Sequence, residues 1–483
     1  MDQSAVNGAQ TYYVQDLNID NAWIVGLVNG APSLCAFTFG CWSSAPLNRF
    51  LGRRWTIWIS CFFGVASGVG QACTQSTWEL FATRLLMGIA IGAKSATTSA
   101  YAAECAPPKI RGALGCQWQM WTAFGIMLGL LASVAFGGIH SSSMDGLNWR
   151  LMLGSTAFPP IIVCLGMFAV PESPRWLVGK GKFAEAYASL CKLRNTQVQA
   201  CRDLYQMHLS IEEEKKLAPK TWSKKVTQLF SVPRNRRAAQ SAFFLMFMQQ
   251  FCGVNIIAYY STKIFEDAGY SINDALWVSL GVGIVNWLFA IPGVLAIDRY
   301  GRRALLMWTF PLMAICLFFT GFAFSIPEGL GRTAAIATGI YLYMVVYSPG
   351  MGPVPYTYSG EAFPLAVRDI GMSFATATCW GFNFLLALTW PAQVKAMTPQ
   401  GGFTYYTVWN LIGWIVAYFC LPETKEKELE ELDKVFEVRT RDHARLFWHL
   451  LPRRGDKKIP DDLQETRAVL EDSEKKTTTI STV

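Results

Sequence analysis

The heptapeptide NRFLGRR occupies residues 48–54, and a related hexapeptide, DRYGRR, occupies residues 298–303. Each follows a long apolar segment, the first at 22–45 and the second at 276–297. A second motif is repeated in the same order, because Glu104 and Arg111 have the same spacing as Glu361 and Arg368. The chain is therefore predicted to consist of two halves built on one plan.

The composition indicates a membrane protein. Of the 483 residues, 52% are apolar and only 16% are charged, whereas about a quarter of a soluble chain is charged. The apolar residues form eleven segments, at 22–45, 55–74, 79–103, 113–137, 150–170, 239–264, 276–297, 304–324, 333–358, 369–392 and 403–421. Such lengths suit helices that cross a hydrocarbon core. The thirteen cysteines are scattered and are predicted to be reduced packing residues.

Basic residues mark one side of the predicted membrane. The polar gap at 171–238 and the short turns are rich in Lys and Arg, and basic loops stay in the cytoplasm. Five segments precede the gap and six follow it, so one more helix is expected before residue 22. The predicted divisions are a first transmembrane half at 1–170, a cytoplasmic helical linker at 171–238, a second transmembrane half at 239–421 and a cytoplasmic tail at 422–483.

Several motifs together resemble one family. They are PESPRWL at 171–177, PETK at 422–425, the two GRR turns and QQFCGVNIIAYYS at 249–261. In this order they are similar to the sugar porter family of the major facilitator superfamily, and the resemblance covers residues 2 to 435. The sequence GPVPYTYSGEAFP at 352–364 resembles that of the family's fungal members. The resemblance implies an all-α membrane protein of the major facilitator fold. Its two six-helix halves move a solute by alternating access, with the site between them near the middle of the membrane.

The resemblance places MDQSAVNGA at the middle of the first helix, with Asp2 at an acidic position. The chain is therefore expected to begin halfway through that helix, either because its true start lies upstream or because the gene is degenerate. Arg84 matches an arginine that faces this acid in the family. An ionisable pair inside a membrane indicates function, and the resemblance implies that Asp2 and Arg84 couple transport to protons. The alternative is that Asp2 is an exposed terminal residue.

Amide side chains are predicted to bind the solute. The resemblance implies sugar contacts for Gln249, Gln250, Asn255 and Tyr259 in the seventh helix, for Gln119 in the fifth and for Asn286 in the eighth. An amide both donates and accepts hydrogen bonds, so it can pair with a hydroxyl group in either sense. Gly253 is expected to loosen the seventh helix and to bring Gln250 and Asn255 toward the cavity. The alternative is that these amides join helices to each other.

Two positions depart from the family. The tenth helix is predicted to break near Gly352, where Tyr356 replaces the tryptophan that many members place under the sugar ring. In the eleventh helix, Cys379 stands before Trp380 where relatives often have an amide. Both changes weaken the case for simple glucose specificity. A polyol, a disaccharide or a hydroxylated acid would fit instead.

The basic turns and the glutamates near them are predicted to form a cytoplasmic gate, in which ion pairs close the inner side and separate during transport. Asn48 stands where an aspartate is usual. The alternative is that these charges only set the topology. The predicted gate residues are Arg49, Arg53, Arg54, Glu104, Arg111, Glu172, Arg175, Asp298, Arg299, Arg302, Arg303, Glu361, Arg368 and Glu423.

The sequence therefore predicts a proton-coupled importer of a sugar or related polyhydroxylated solute, monomeric and set in the plasma membrane with its C-terminus inside. A polyol, quinate-like or secondary-metabolite transporter is the first alternative. A nutrient sensor that transports nothing and a non-functional truncated product are the others. No enzyme motif, metal site, cofactor, phosphate loop or nucleic-acid site is predicted.

Overall fold

The computed structural model describes residues 1–107, 111–139, 146–217, 222–364, 366–425, 429–449 and 463–464. All regular structure in these ranges is helical, which confirms the all-α prediction. The helices of the first half are α1 (Asp2–Asp16), α2 (Ala22–Phe50), α3 (Arg53–Cys73), α4 (Thr77–Cys105), α5 (Arg111–Gly137) and α6 (Leu147–Gly166).

Local capping sets several helix starts. Asn21 accepts a hydrogen bond from the backbone N–H of Trp23 at the start of α2, at 2.9 Å. At the start of α4, Ser76 accepts from the backbone N–H of Glu79, while Glu79 accepts from the backbone N–H of Gln75. This reciprocal arrangement satisfies two N–H groups that the helix itself leaves free.

Four helices connect the halves, namely α7 (Pro174–Gly179), α8 (Phe183–Leu193), α9 (Gln197–Leu217) and α10 (Trp222–Ser231). Arg194 holds this linker against the first half. Its Nε donates to Oδ2 of Asp203 at 2.7 Å, and its Nη1 donates to the carbonyl of Cys105 at 3.0 Å.

The second half begins at Pro233, earlier than the apolar segment predicted from 239, because Arg234, Arg236 and Arg237 form polar first turns of its first helix. Its helices are α11 (Pro233–Ala268), α12 (Ile272–Tyr300), α13 (Arg302–Ala323), α14 (Leu330–Tyr347), α15 (Val354–Ala362) and α16 (Arg368–Cys420). The last of these consists of two helices joined at Thr398, where φ is 62°.

Two tail helices, α17 (Leu429–Glu437) and α18 (Thr440–His449), pack on the second half. Asp433 pairs with Arg234 at 2.8 Å. The guanidinium of Arg303 lies 3.9 Å from the ring centroid of Phe447.

Nine helical stretches of the described chain are long and apolar enough to span a membrane. One of them is α16, which supplies two crossings at its bend. The helices α1 and α4 are not among the nine, and α4 carries four charged residues, Glu79, Arg84, Lys94 and Glu104. Each half then contains six helices across the bundle. This count includes α1 and α4, treats α16 as two helices and treats α14 and α15 as one broken helix.

Small residues let the halves approach closely. Gly26 of α2 lies against the carbonyl of Leu388 in α16, so that a Cβ at Gly26 would overlap it. In a second contact between the halves, a Cβ on Gly283 of α12 would lie 3.0 Å from the Cα of Met127 in α5.

Candidate functional site

The break in α11 brings two predicted amides together. Gly253 has a φ of 103°, which glycine adopts at little cost, and it separates a helix that ends at Phe251 from one that begins at Val254. Asn255 Nδ2 donates to Oε1 of Gln250 across this break. A straight helix would point residues five apart in different directions, so the break is needed for this contact.

Gln250 is the centre of a set of polar side chains that we call the amide cluster, comprising Gln249, Gln250, Asn255, Tyr259, Cys379 and Asn383. All are buried except Asn255, which is half-buried. Oε1 of Gln250 also accepts from Asn383 Nδ2 at 2.9 Å, and its Nε2 donates to Cys379 Sγ at 3.0 Å. Gln249 accepts from Cys379 at 3.4 Å and donates to the carbonyl of Gly352 at 3.3 Å. The cluster thus joins α11, α16 and the break that precedes α15.

The first half reaches this cluster through α5. A Cβ on Gly352 would lie 3.1 Å from Nε2 of Gln119, so the Gln119 side chain lies close against the backbone at Gly352. The ring of Trp118 lies 6.0 Å, between centroids, from that of Tyr356. The tyrosyl OH is 3.5 Å from Cys379 Sγ. Trp118 therefore adds aromatic surface beside the smaller ring of Tyr356.

Two residues that were predicted to bind the solute, Asn286 and Trp380, have no hydrogen bond to the amide cluster among the described residues. Asn286 accepts a hydrogen bond from Ser348 at 2.7 Å, so it ties α12 to the end of α14 rather than to the amide cluster. Trp380 has a buried indole N–H for which the described residues offer no acceptor.

Sequence analysis missed Asn383. This residue is buried, and its Oδ1 accepts from Ser33 at 2.6 Å and from Tyr259 at 2.9 Å while its amide donates to Gln250. It lies one helical turn after Cys379, on the same face, and supplies an amide in the eleventh helix close to where Cys379 replaces one. A search for amides four residues away from Cys379 would have found it.

Asp2 and Arg84 lie together, as predicted. Arg84 is fully buried, and its Nη2 is 3.4 Å from Oδ2 of Asp2, whose side chain is 7% exposed. Gln71 bridges them, because its Oε1 accepts from Arg84 at 3.3 Å and its Nε2 donates to Asp2 at 3.5 Å. Asp2 is therefore not an exposed terminal residue in this structure.

Arg84 also holds the backbone of α2. Pro32 has no N–H, so the carbonyl of Val28, four residues earlier, lacks its helical partner. Nε of Arg84 donates to this carbonyl at 2.7 Å, and Nη2 donates to the carbonyl of Asn29 at 3.2 Å. One guanidinium thus binds α2 and Asp2 together.

The predicted gate residues form two similar sets, one in each half. In the first set, Arg53 Nη2 pairs with Glu104 at 2.8 Å, and Glu172 accepts from the backbone N–H groups of Arg53 and Arg54 at 3.0 and 3.2 Å. Ser173 also donates to Glu104. Glu172 therefore caps the start of α3, where a negative charge is favourable.

The second set repeats these contacts. Arg302 pairs with Glu361 at 2.7 Å, Glu423 accepts from the backbone N–H groups of Arg302 and Arg303 at 3.0 and 2.9 Å, and Thr424 donates to Glu361 at 2.7 Å. Each of these ion pairs lies inside one half. In this conformation they tie helices within a half, and they do not join the two halves as the gate prediction expected.

The remaining predicted gate residues lie outside these two sets of contacts or outside the described residues. Arg49 is exposed, Arg175 lies in the first turn of α7, and Arg368 donates to the carbonyl of Phe363 at 3.2 Å. The carbonyl of Arg299 accepts from Lys425 at 3.0 Å. The side chains of Arg111 and Asp298 lie outside the described residues. Asn48, which replaces the usual aspartate, bonds to Thr97 of α4 at 3.0 Å.

We expect Gly301→Ala to destabilise the second set. Gly301 has a φ of 91°, and a Cβ there would lie 2.7 Å from Oε2 of Glu423. Such strain costs about 1–3 kcal/mol and would displace the capping carboxylate. The thermal unfolding temperature in detergent should fall. Gly360→Ala is the control, because its helical site is open, and equal melting of the two variants would contradict the prediction.

Comparison with known proteins decides the family. The family model described as "Sugar (and other) transporter" matches residues 4–436. The chain belongs to this sugar transporter family. The match spans both halves, the linker and the first tail helix, and it confirms the resemblance to the sugar porter family.

Named relatives in the family carry different solutes. The galactose-proton symporter of Escherichia coli K12 is 30% identical over 442 residues, covering 90% of each chain. The myo-inositol transporter 1 of Cryptococcus neoformans is 30% identical over 455 residues, covering 90% of this chain and 78% of the relative. The probable polyol transporter 6 of Arabidopsis thaliana is 28% identical, covering 90% and 91%.

Solved structures confirm the fold of this sugar transporter family member. The proton:xylose symporter XylE, of the major facilitator superfamily, superposes with a TM-score of 0.75 at 24% identity, over 90% of this chain and 95% of that one. The inward open conformation of the xylose transporter XylE from E. coli gives 0.73 at 23% identity, over 89% and 95%. The chain therefore has the major facilitator fold, and its family is one of transporters, not of enzymes.

Proposed function

We propose that this transporter imports a neutral polyhydroxylated solute, a sugar or a polyol, together with protons. The observation that carries the proposal is the position of α2 between two buried polar sets. On one side, Arg84 binds the carbonyls of Val28 and Asn29 and pairs with Asp2. On the other, Ser33 of the same helix donates to Asn383 of the amide cluster.

Protonation of Asp2 would remove its ion pair with Arg84 but would not leave the Arg84 guanidinium without hydrogen-bond partners. Arg84 would lose its carboxylate partner but keep the two α2 carbonyls and Gln71. Leaving a buried cation with no partner at all would cost several kcal/mol. A pair that can open at modest cost suits a proton switch, because the two states then differ by little energy.

The α2 helix would carry the change to the second half. Asn29 Nδ2 lies 3.3 Å from the OH of Tyr260, which donates to the carbonyl of Ala387 at 2.7 Å. Ser33, one turn later, contacts both Asn383 and Tyr259. A shift of α2 would therefore alter hydrogen bonds at the solute side chains themselves. This is the physical link that coupling requires.

The amide cluster favours a neutral solute over an acid. Its six residues carry amide, phenol and thiol groups and no charge. Such groups match hydroxyls in either sense, whereas a carboxylate would need a cation, and Arg84 is already paired with Asp2. A quinate-like acid is therefore the less favoured alternative. Relatives named for galactose, polyols and myo-inositol are consistent with a neutral solute.

The topology, the membrane location, the oligomeric state and the divisions of the chain belong to the same proposal. The basic turns and linker support a cytoplasmic position for the linker and the tail. We infer the plasma membrane as the location, a monomer as the working unit, and the division into transmembrane halves at 1–170 and 239–421, a linker at 171–238 and a tail at 422–483.

Uptake into proteoliposomes tests the function. Labelled galactose, xylose, arabinose, myo-inositol, sorbitol and quinate should be offered with and without an inward proton gradient. We expect at least one neutral solute to accumulate above its outside concentration only with the gradient, and an uncoupler to abolish that accumulation. Equilibration that ignores the gradient would contradict proton coupling. Accumulation of quinate alone would contradict the neutral solute.

A further inference from the structure

A cavity of about 580 Å³ opens where α11 and α18 begin. Among the residues that the structure describes, arginines from both helix ends line it together with three other residues, and none of these lining residues is acidic. The lining residues are Pro233, Arg236, Arg237, Gln240, Arg439 and Thr440. The mechanism proposed above uses none of them.

The three arginines differ in their bonding. Arg237 is held in place, because its Nη1 donates to the carbonyls of Phe436 and Glu437 at 2.7 and 2.6 Å. Arg236 and Arg439 are exposed, and neither has an ion pair among the residues that the structure describes. Glu437 and Asp442 lie close enough to Arg237 to interact with its charge. The cavity lining nevertheless carries an excess of positive charge, and the guanidinium groups of Arg236 and Arg439 are accessible to an anion.

The surface of α11 beyond the cavity is apolar. Arg236, Gln240, Phe243 and Phe247 follow one another at the spacing of a single helical face. Phe243 is 41% exposed, and its ring stacks with that of Phe247 at 6.4 Å between centroids. One face of α11 therefore changes from basic to aromatic along its length. A free anion would need only the basic end, whereas an amphiphilic molecule would need both.

We propose that this cavity binds the phosphate headgroup of an anionic lipid whose acyl chains lie along Phe243 and Phe247. Guanidinium groups bind phosphate oxygens in pairs, and basic pockets beside cytoplasmic helix ends suit such headgroups. Arg236 belongs to the bundle and Arg439 to the tail, so one phosphate would bridge them. The lipid would hold α18 against α11.

Binding of short-chain lipids to the full-length protein in detergent tests this site. The probes are dioctanoyl phosphatidylinositol 4-phosphate, dioctanoyl phosphatidylcholine, soluble inositol 1,4-bisphosphate and inorganic phosphate, each titrated by microscale thermophoresis. The variant is Arg236→Gln with Arg439→Gln. Its control is Arg441→Gln with Arg445→Gln, which removes the same charge from exposed positions of α18 outside the cavity lining.

We expect the phosphoinositide to bind and the cavity variant to bind it about 30-fold more weakly, since each arginine near a lipid surface contributes about 1 kcal/mol. The control variant should bind like the unchanged protein. Equal weakening by both variants would overturn the site, because it would show a general charge effect. Binding of inorganic phosphate or the soluble bisphosphate as tight as that of the lipid would overturn the lipid and leave a phosphate site.

Discussion

Asp2→Asn should abolish accumulation of solute against its gradient. With one proton per solute, a gradient of one pH unit supports about tenfold accumulation, because 1.4 kcal/mol is a factor of ten. Asparagine has nearly the same shape, and its amide oxygen can still accept from Arg84. Its Nδ2 cannot accept from Gln71, and the side chain cannot carry a proton. We expect the variant to equilibrate the solute and to stop there. Proteoliposomes with an imposed proton gradient measure the ratio directly.

Exchange separates the loss of coupling from a loss of folding. The Asp2→Asn protein should still exchange labelled for unlabelled solute when both sides are at equal pH, since the amide cluster is unchanged. Asp20→Asn is the matched control, because Asp20 is an exposed acid between α1 and α2. It should accumulate normally. Accumulation by the Asp2→Asn variant would remove Asp2 from the proton path.

The sequence predicted the fold well because its strongest signals are long-range repeats. Apolar segments, basic turns and the repeated glutamate-arginine spacing each follow from simple requirements of a membrane and of two similar halves. The match between the set around Arg53 and the set around Arg302 reflects that repeat. What the repeat could not predict is which partner each arginine takes. That depends on where the turns place Glu104 and Glu361, each of which lies in the same half as the arginine that it pairs with.

The candidate site was predictable only in part. Gln250 and Asn255 were predicted because they match the family's seventh-helix motif, and the glycine between them supported a break. Asp2 and Arg84 were likewise predicted from the resemblance, and the rarity of charges inside a membrane supported a functional role. Asn383 was missed because it lies one helical turn after Cys379, away from the position at which relatives often have an amide. The hold of Arg84 on α2 was also missed. It depends on the carbonyl that Pro32 leaves free, which the sequence indicates only once Arg84 is known to lie beside it.

Gln250→Ala should weaken solute binding most among the cluster residues. The side chain accepts from Asn255 and Asn383 and donates to Cys379, so it orders the three groups beside it as well as offering its own amide. Loss of two hydrogen bonds costs about 2–3 kcal/mol, which corresponds to roughly a 30- to 150-fold rise in apparent KM. Initial uptake rates over a range of solute concentrations measure it.

The Gln250→Ala and Asp2→Asn variants should lose different properties, solute affinity in the first and accumulation in the second. Gln250→Ala should keep accumulation at saturating solute, because Asp2 and Arg84 are untouched, whereas Asp2→Asn should keep its apparent KM in exchange and lose accumulation. Gln199→Ala, an exposed glutamine of the linker, should change neither quantity. If Gln250→Ala lost accumulation at every concentration with an unchanged KM, the amide cluster would serve coupling or helix packing rather than solute binding. The helix-joining role of these amides would then be the better account.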